Sequence, residues 1–225
     1  LGQVKAINID IYLLEILDLG QELLNLENYE LAEQYLTEYI QTTEDLFDAR
    51  DKYIKNIYNS SIAKNNQDQT LEEYKASELA TPYKNLAEGN LALSDTTAFF
   101  KNMKQSIYYE EVLGTSDYLL IYKYTSLATE YSNIDDVENS KKYISKAERS
   151  LKRLGDIDGR MLATLLIVDY YFDFGVEKRE ILFRKIVRLL NDALEEAEVA
   201  ENYKYQYWCL IRLASAYHTI DKNKD

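Results

Sequence analysis

Pro82 is the only proline in a chain of 225 residues, and just seven glycines accompany it. Folds built on tight turns between strands, or on glycine-rich loops that cradle a mononucleotide, need more of both residues. Almost the whole chain is therefore expected to be helical. With 46% hydrophobic residues it has ample material for a core.

The spacing of those apolar residues divides the chain. Ile9, Leu13, Ile16, Leu19, Leu23 and Leu26 step by three and four, the stripe of one buried helix face, and predict a helix over 4–26. The polar "ENYE" interrupts, and the stripe restarts at Leu31, Ala32, Tyr35, Leu36, Tyr39 and Ile40. Two helices joined by a tight turn account for this, the second expected to run to about 59. Residues 1–59 form a first long hairpin on this reading, and 60–69 a polar loop. Thr70 opens the next helix as its cap, with Glu73 three residues on. Pro82 is read as starting a further helix capped by Thr81. Ser94 or Asp95 caps "SDTTAFFKNMKQSIYYEEV", which "LGTSD" closes. Helical stretches then pair on to "YKYQYWCLIRLASAYHTI", which opens a last, unfinished hairpin. Residues 70–220 are thus helix hairpins and 221–225 a frayed tail. A half-finished hairpin exposes an apolar face, which predicts a truncated chain or a capping contact from another copy.

A frame recurs along the chain. Ile16, Leu19, Gly20 and Leu23 read bulky, bulky, small, bulky, and Ala32 and Leu36 answer twelve and sixteen residues after Gly20. Tyr124, Leu127, Ala128 and Tyr131 repeat it, answered by Ser140, Ile144 and Ala147. Leu210, Leu213, Ala214 and Tyr217 repeat it again, with weaker copies at Tyr83, Leu86, Ala87 and Asn90 and at Thr164, Ile167, Val168 and Tyr171. A small residue facing another lets paired helices approach where leucine would block them. This frame resembles the tetratricopeptide repeat family. The small positions at 20, 87, 128, 168 and 214 give steps of 67, 41, 40 and 46, longer than that family's period of about 34. Phe99 and Val168 also stand where small residues are expected. The resemblance implies an all-α fold, a right-handed superhelical stack of antiparallel helix hairpins.

Catalytic chemistry finds no foothold in the sequence. There is one histidine, His218, and one cysteine, Cys209, so zinc sites and histidine-based nucleophile arrangements are not expected, and no phosphate-binding glycine loop is present. Cys209 lies in an apolar run and reads as a buried, inert thiol. "DIDG" at 156–159 lacks the closing glutamate of a calcium loop and reads as a turn. "SIAK" at 61–64 lacks the companion motifs of acyl-transfer enzymes. "NSS" at 59–61 would be a glycosylation acceptor only in a secreted eukaryotic protein. The 21 tyrosines could line a binding groove, although compositional bias is the simpler reading. The expectation is a protein that is not an enzyme and takes no cofactor and no metal.

The formal charge of −13 argues against nucleic acid as a partner and against an anionic membrane surface. It is concentrated in residues 1–75, which hold 15 acids and 6 bases. No run is long and apolar enough to span a membrane. The chain opens directly into helix-like sequence, which suggests a piece of a longer protein. Its location stays open, with the cytoplasm favoured and an upstream export signal or anchor conceivable.

The family resemblance implies that the first helix of each hairpin lines a concave surface holding a peptide or a partner's helix. By spacing that surface carries Leu17 and Gln21, then Lys84 and Glu88, then Tyr122, Thr125, Thr129 and Asn133. Leu165 and Asp169 follow, then Ile211 and Ser215. The candidate ligand-binding residues are Lys84, Glu88, Tyr122, Thr125, Thr129, Asn133, Asp169 and Ser215. Leu17, Thr125 and Ile211 stand where the family's carboxylate clamp would need lysine, and Lys84 alone supplies one, so that mode is not expected. Asparagine amides such as that of Asn133 could hold a peptide backbone instead. The expected function is a non-catalytic protein- or peptide-binding scaffold. The alternatives are a peptide-sensing domain of a larger bacterial regulator and an extracytoplasmic assembly or adhesion domain. The unfinished last hairpin adds a possible homo-oligomer.

Overall fold

The computed structural model describes residues 2–48, 70–115, 117–174 and 179–221, and all regular structure among them is helical. In chain order the helices are α1 (Gly2–Asn25), α2 (Tyr29–Asp48), α3 (Leu71–Ala92), α4 (Thr96–Leu113), α5 (Asp117–Asn133), α6 (Val137–Leu151), α7 (Ile157–Phe174), α8 (Arg179–Val199) and α9 (Tyr203–Asp221). They form two compact units, residues 1–115 with α1 to α4 and residues 116–225 with α5 to α9. The expected run of the second helix to residue 59, the polar loop 60–69, the "NSS" and "SIAK" motifs and the tail beyond Asp221 lie outside the described residues.

One kind of turn closes four helix pairs. After α1, Glu27 takes φ 57° while the Asn28 and Glu27 amides donate back to the Leu23 and Leu24 carbonyls at 2.9 and 3.0 Å. Ser94 after α3, Asp135 after α5 and Glu201 after α8 repeat this with φ of 62°, 59° and 52°. There Asp95, Asp136 and Asn202 donate to Asn90, Tyr131 and Ala197 at 2.8, 2.8 and 2.9 Å. This double return satisfies carbonyls that a helix end leaves open. The residue that completes each turn then opens the following helix. Asp95 Oδ1 accepts from the Ala98 amide, Asp136 Oδ1 from Asn139 and Asn202 Oδ1 from Tyr205. Asp95, not Ser94, is therefore the cap of α4.

In the first unit the small position works sterically. A methyl added at Gly20 would stand 2.9 Å from Leu36 Cγ, so α1 and α2 meet across a gap that glycine keeps open. Ile16, Leu36, Tyr39, Ile40, Leu79, Tyr83 and Leu86 pack the core that results. Glu33 on α2, Asn90 on α3 and Asn102 on α4 form a polar ladder through it, with bonds of 2.7 and 2.8 Å. Thr70 and Glu73 make the reciprocal capping box expected at the start of α3.

Pro82 does not start a new helix. It lies inside α3, and Thr81 is a mid-helix residue, not a cap. Proline withholds the amide that the Glu78 carbonyl would accept, and the Tyr39 hydroxyl of α2 reaches both that carbonyl, at 3.5 Å, and Glu78 Oε2, at 3.2 Å. A partner from outside the helix thus takes up the acceptor that proline frees.

In the second unit α5 packs on α6 and α7, and α8 on α7 and α9. Ser140 Oγ of α6 bonds the Ala128 carbonyl of α5 at 2.8 Å and the Tyr170 hydroxyl of α7 at 2.5 Å, so the paired small positions again mark a close approach. Tyr131 and Tyr143 stack with centroids 5.6 Å apart. Lys185 of α8 pairs with Glu148 of α6 at 2.8 Å, and the Tyr171 hydroxyl of α7 donates to the same carboxylate at 3.1 Å.

Candidate functional site

The first unit contains a cavity of about 490 Å³ between α1 and α3, lined by Gln21, Leu24, Asn25, Tyr29, Thr81, Lys84, Asn85, Glu88 and Ala92. Its size falls within the range of ligand clefts, roughly 300–1,000 Å³. Gly89 lets Leu24 of α1, a lining residue, approach α3, since a methyl there would stand 3.2 Å from Leu24 Cδ2.

Lys84 and Glu88 pair at 2.8 Å one helical turn apart, both partly buried. Their charges offset each other, which leaves the amides of Gln21, Asn25 and Asn85 as the main polar groups able to engage a neutral ligand. Each amide both donates and accepts, as a peptide bond does. Gln21, Lys84 and Glu88 were expected on one surface from spacing, and they line one cavity. Asn85 and Thr81 were missed, although the 81–85–88–92 spacing along α3 is legible as one face. Asn25 and Tyr29 flank a turn, where the helical frame stops helping.

The remaining expected residues belong to the second unit. Thr125 is 7% exposed and donates to the Ile121 carbonyl at 2.8 Å, which makes it part of the packing of α5 and not of an open surface. Tyr122 and Thr129 are partly buried, and exposed Asn133 donates to Glu130 at 3.1 Å. Asp169 receives two bonds from Arg212, at 2.7 and 3.1 Å, which ties α7 to α9 and holds the Arg212 guanidinium firmly protonated. Ser215 is exposed and turns its hydroxyl to the Ile211 carbonyl. These side chains are engaged mainly with their own helices and neighbours.

Among the described residues no group of three or more His, Cys, Asp or Glu side chains is arranged to hold a metal ion. Asp156, in the sequence that begins like a calcium loop, caps α7 by accepting from the Gly159 amide at 2.6 Å. Cys209 is buried, and burial pushes its thiol up from the usual range, away from nucleophilic thiolate. His218 is exposed in the last turn of α9. No described helix is long and apolar enough to cross a membrane. No family model matches the chain, and no curated protein matches it.

Proposed function

We propose that this chain is a non-catalytic, tetratricopeptide-like scaffold that binds an extended peptide segment of a partner protein along the α1–α3 cavity. The observation that carries this reading is the cavity lining itself, three carboxamides beside an internally neutralised Lys84–Glu88 pair. Such a lining suits a peptide backbone, whose donors and acceptors alternate, better than a phosphate or a hydrocarbon. Recurrence of the three-residue turn and of the small-residue frame supports hairpins of one repeated kind. A right-handed superhelical stack of those hairpins is part of the same proposal.

Selection of random displayed peptides on the chain, followed by anisotropy titration of the enriched sequences, tests it. Gln21→Ala with Asn85→Ala is expected to weaken binding about tenfold, from hydrogen bonds worth roughly 0.5–1.5 kcal/mol each. Asn133→Ala is expected to leave affinity unchanged. Failure to enrich any sequence, or equal binding by the double variant, would discard the α1–α3 cavity as the peptide site.

A further inference from the structure

The small residues of the repeated frame are covered in the first three hairpins. Gly20 meets Leu36, Ala87 is fully buried, and Ala128 is fully buried with Ser140 bonded to its carbonyl. Helix α9 carries the same frame with a different outcome. It turns Cys209, Leu213 and Ala216 inward, so that Ala214, the counterpart of Gly20, Ala87 and Ala128, is exposed.

Ala214 belongs to a continuous stripe. Tyr203 is 75% exposed, Tyr207 61%, Leu210 54% and Tyr217 52%, and with Ala214 these residues step by four, three, four and three along one helix face. That is the spacing of a coiled-coil seam. The stripe is about 21 Å long at the rise of an α-helix. No acidic residue occurs in α9 before Asp221, in a chain whose formal charge is −13. Arg212 is engaged by Asp169, and the Phe183 ring of α8 holds Tyr217 edge-on at 5.2 Å. Trp208, at the edge of the stripe, meets Tyr207 edge-on with centroids 6.1 Å apart, and the Arg212 guanidinium lies 5.8 Å from its ring.

We infer that this face of α9 is a self-association surface on which a second copy of the chain docks through its own α9, antiparallel, about a two-fold axis beside Leu210. The stripe is complementary to itself under that operation and no other simple one. Tyr203 and Tyr217 stand equally far from Leu210 on either side, so each tyrosine meets the other's counterpart. Tyr207, three residues before Leu210, falls beside Ala214, four residues after it, a large side chain against a small one. Leu210 meets Leu210. A parallel pairing would instead set Tyr207 against Tyr207 and leave a gap at Ala214. Each aromatic side chain can bury about 150–250 Å², so the exposed parts of three tyrosines and a leucine supply about 500 Å² per copy. The pair then reaches about 1,000 Å², the lower end of what a specific interface needs, so a weak, reversible dimer is expected. This inference does not depend on the peptide cavity of the first unit.

Sedimentation velocity on the full 225-residue chain from about 1 to 200 µM is the test, with Leu210→Glu as the variant. A concentration-dependent dimer is expected, and Leu210→Glu, which brings two carboxylates together at the axis, is expected to weaken it at least tenfold with an unchanged helical circular dichroism spectrum. Orientation is read separately by oxidising mixed chains. Tyr203→Cys and Tyr217→Cys chains are expected to cross-link to each other and not to themselves, while buried Cys209 stays silent. A chain that remains monomeric at the highest concentration overturns the inference and leaves the stripe to a helix of another protein. A dimer indifferent to Leu210→Glu, or cross-linking of Tyr203→Cys with itself, overturns it as well.

Discussion

Tyr83 and Tyr109 both donate to Glu44, at 2.7 and 3.5 Å, while Tyr39 donates to Glu78, Tyr108 to Glu72, Tyr171 to Glu148 and Tyr12 to Glu38. Tyrosine hydroxyls on glutamate carboxylates are thus a recurring fastening between helices. They give six of the 21 tyrosines of the sequence a structural role that composition alone did not suggest. The partners are 23 to 65 residues apart, beyond any local pattern, which is why the role could not be read from spacing. Burial first, then the neighbouring Glu44 carboxylate, raises Tyr83 above the ordinary range, and burial pushes Tyr109 up to about 12. In the unfolded chain both ionise near 10. Their contribution is therefore fully present below about pH 10 and is lost as pH rises towards the folded values. Thermal melts are expected to be level to about pH 9.5 and to fall steeply above 10, and Tyr83→Phe is expected to make that fall shallower. At neutral pH the same variant should cost about 1 kcal/mol in urea denaturation, one hydrogen bond to a carboxylate that retains Tyr109.

At the scale of the element, the helices were legible because their apolar residues recur at three and four and because polar breaks separate the runs. The last pairing was not: α9, read as opening an unfinished hairpin, is closed onto α8 by the turn at Glu201. Nor was the helix through Pro82 legible. The carbonyl that Pro82 leaves open is reached by Tyr39, which lies on α2, and no rule about proline's neighbours in sequence includes a hydroxyl from another helix. The turns were located by sequence but not their geometry. Gly114, in the segment read as closing α4, does take the left-handed conformation, at φ 58°, but in the four hairpin turns that position is filled by Glu27, Ser94, Asp135 and Glu201, which the sequence did not signal. An L side chain in that conformation is strained by about 1 kcal/mol. Ser94→Gly and Asp135→Gly are each expected to stabilise the chain by about 0.5–1 kcal/mol in urea denaturation. Asp95→Ala removes the cap of α4 and is expected to cost about 1 kcal/mol. Gly20→Leu forces a side chain against Leu36 and is expected to lower stability by about 1–3 kcal/mol.

Over the whole molecule, the all-helical class followed from what the chain lacks, while the site was legible only in part. Gln21, Lys84 and Glu88, which the frame put on one surface, line one cavity, but Thr125 occupies an equivalent position in the frame and is buried in packing. A repeat frame marks which side of a helix faces a neighbour; it cannot tell how closely that neighbour covers it. The acid excess produces a simpler global effect. Raising the salt concentration from about 20 to about 300 mM screens like charges, and the melting temperature is expected to rise by several degrees. The single tryptophan, Trp208, lies in the second unit on α9, beside the Tyr207 and Leu210 stripe, and the first unit has none. Its emission is accordingly an optical label for one end of the chain. A fluorescence melt follows the second unit alone while a dichroism melt follows both, and any offset between the two curves is a direct reading of how cooperatively the halves unfold.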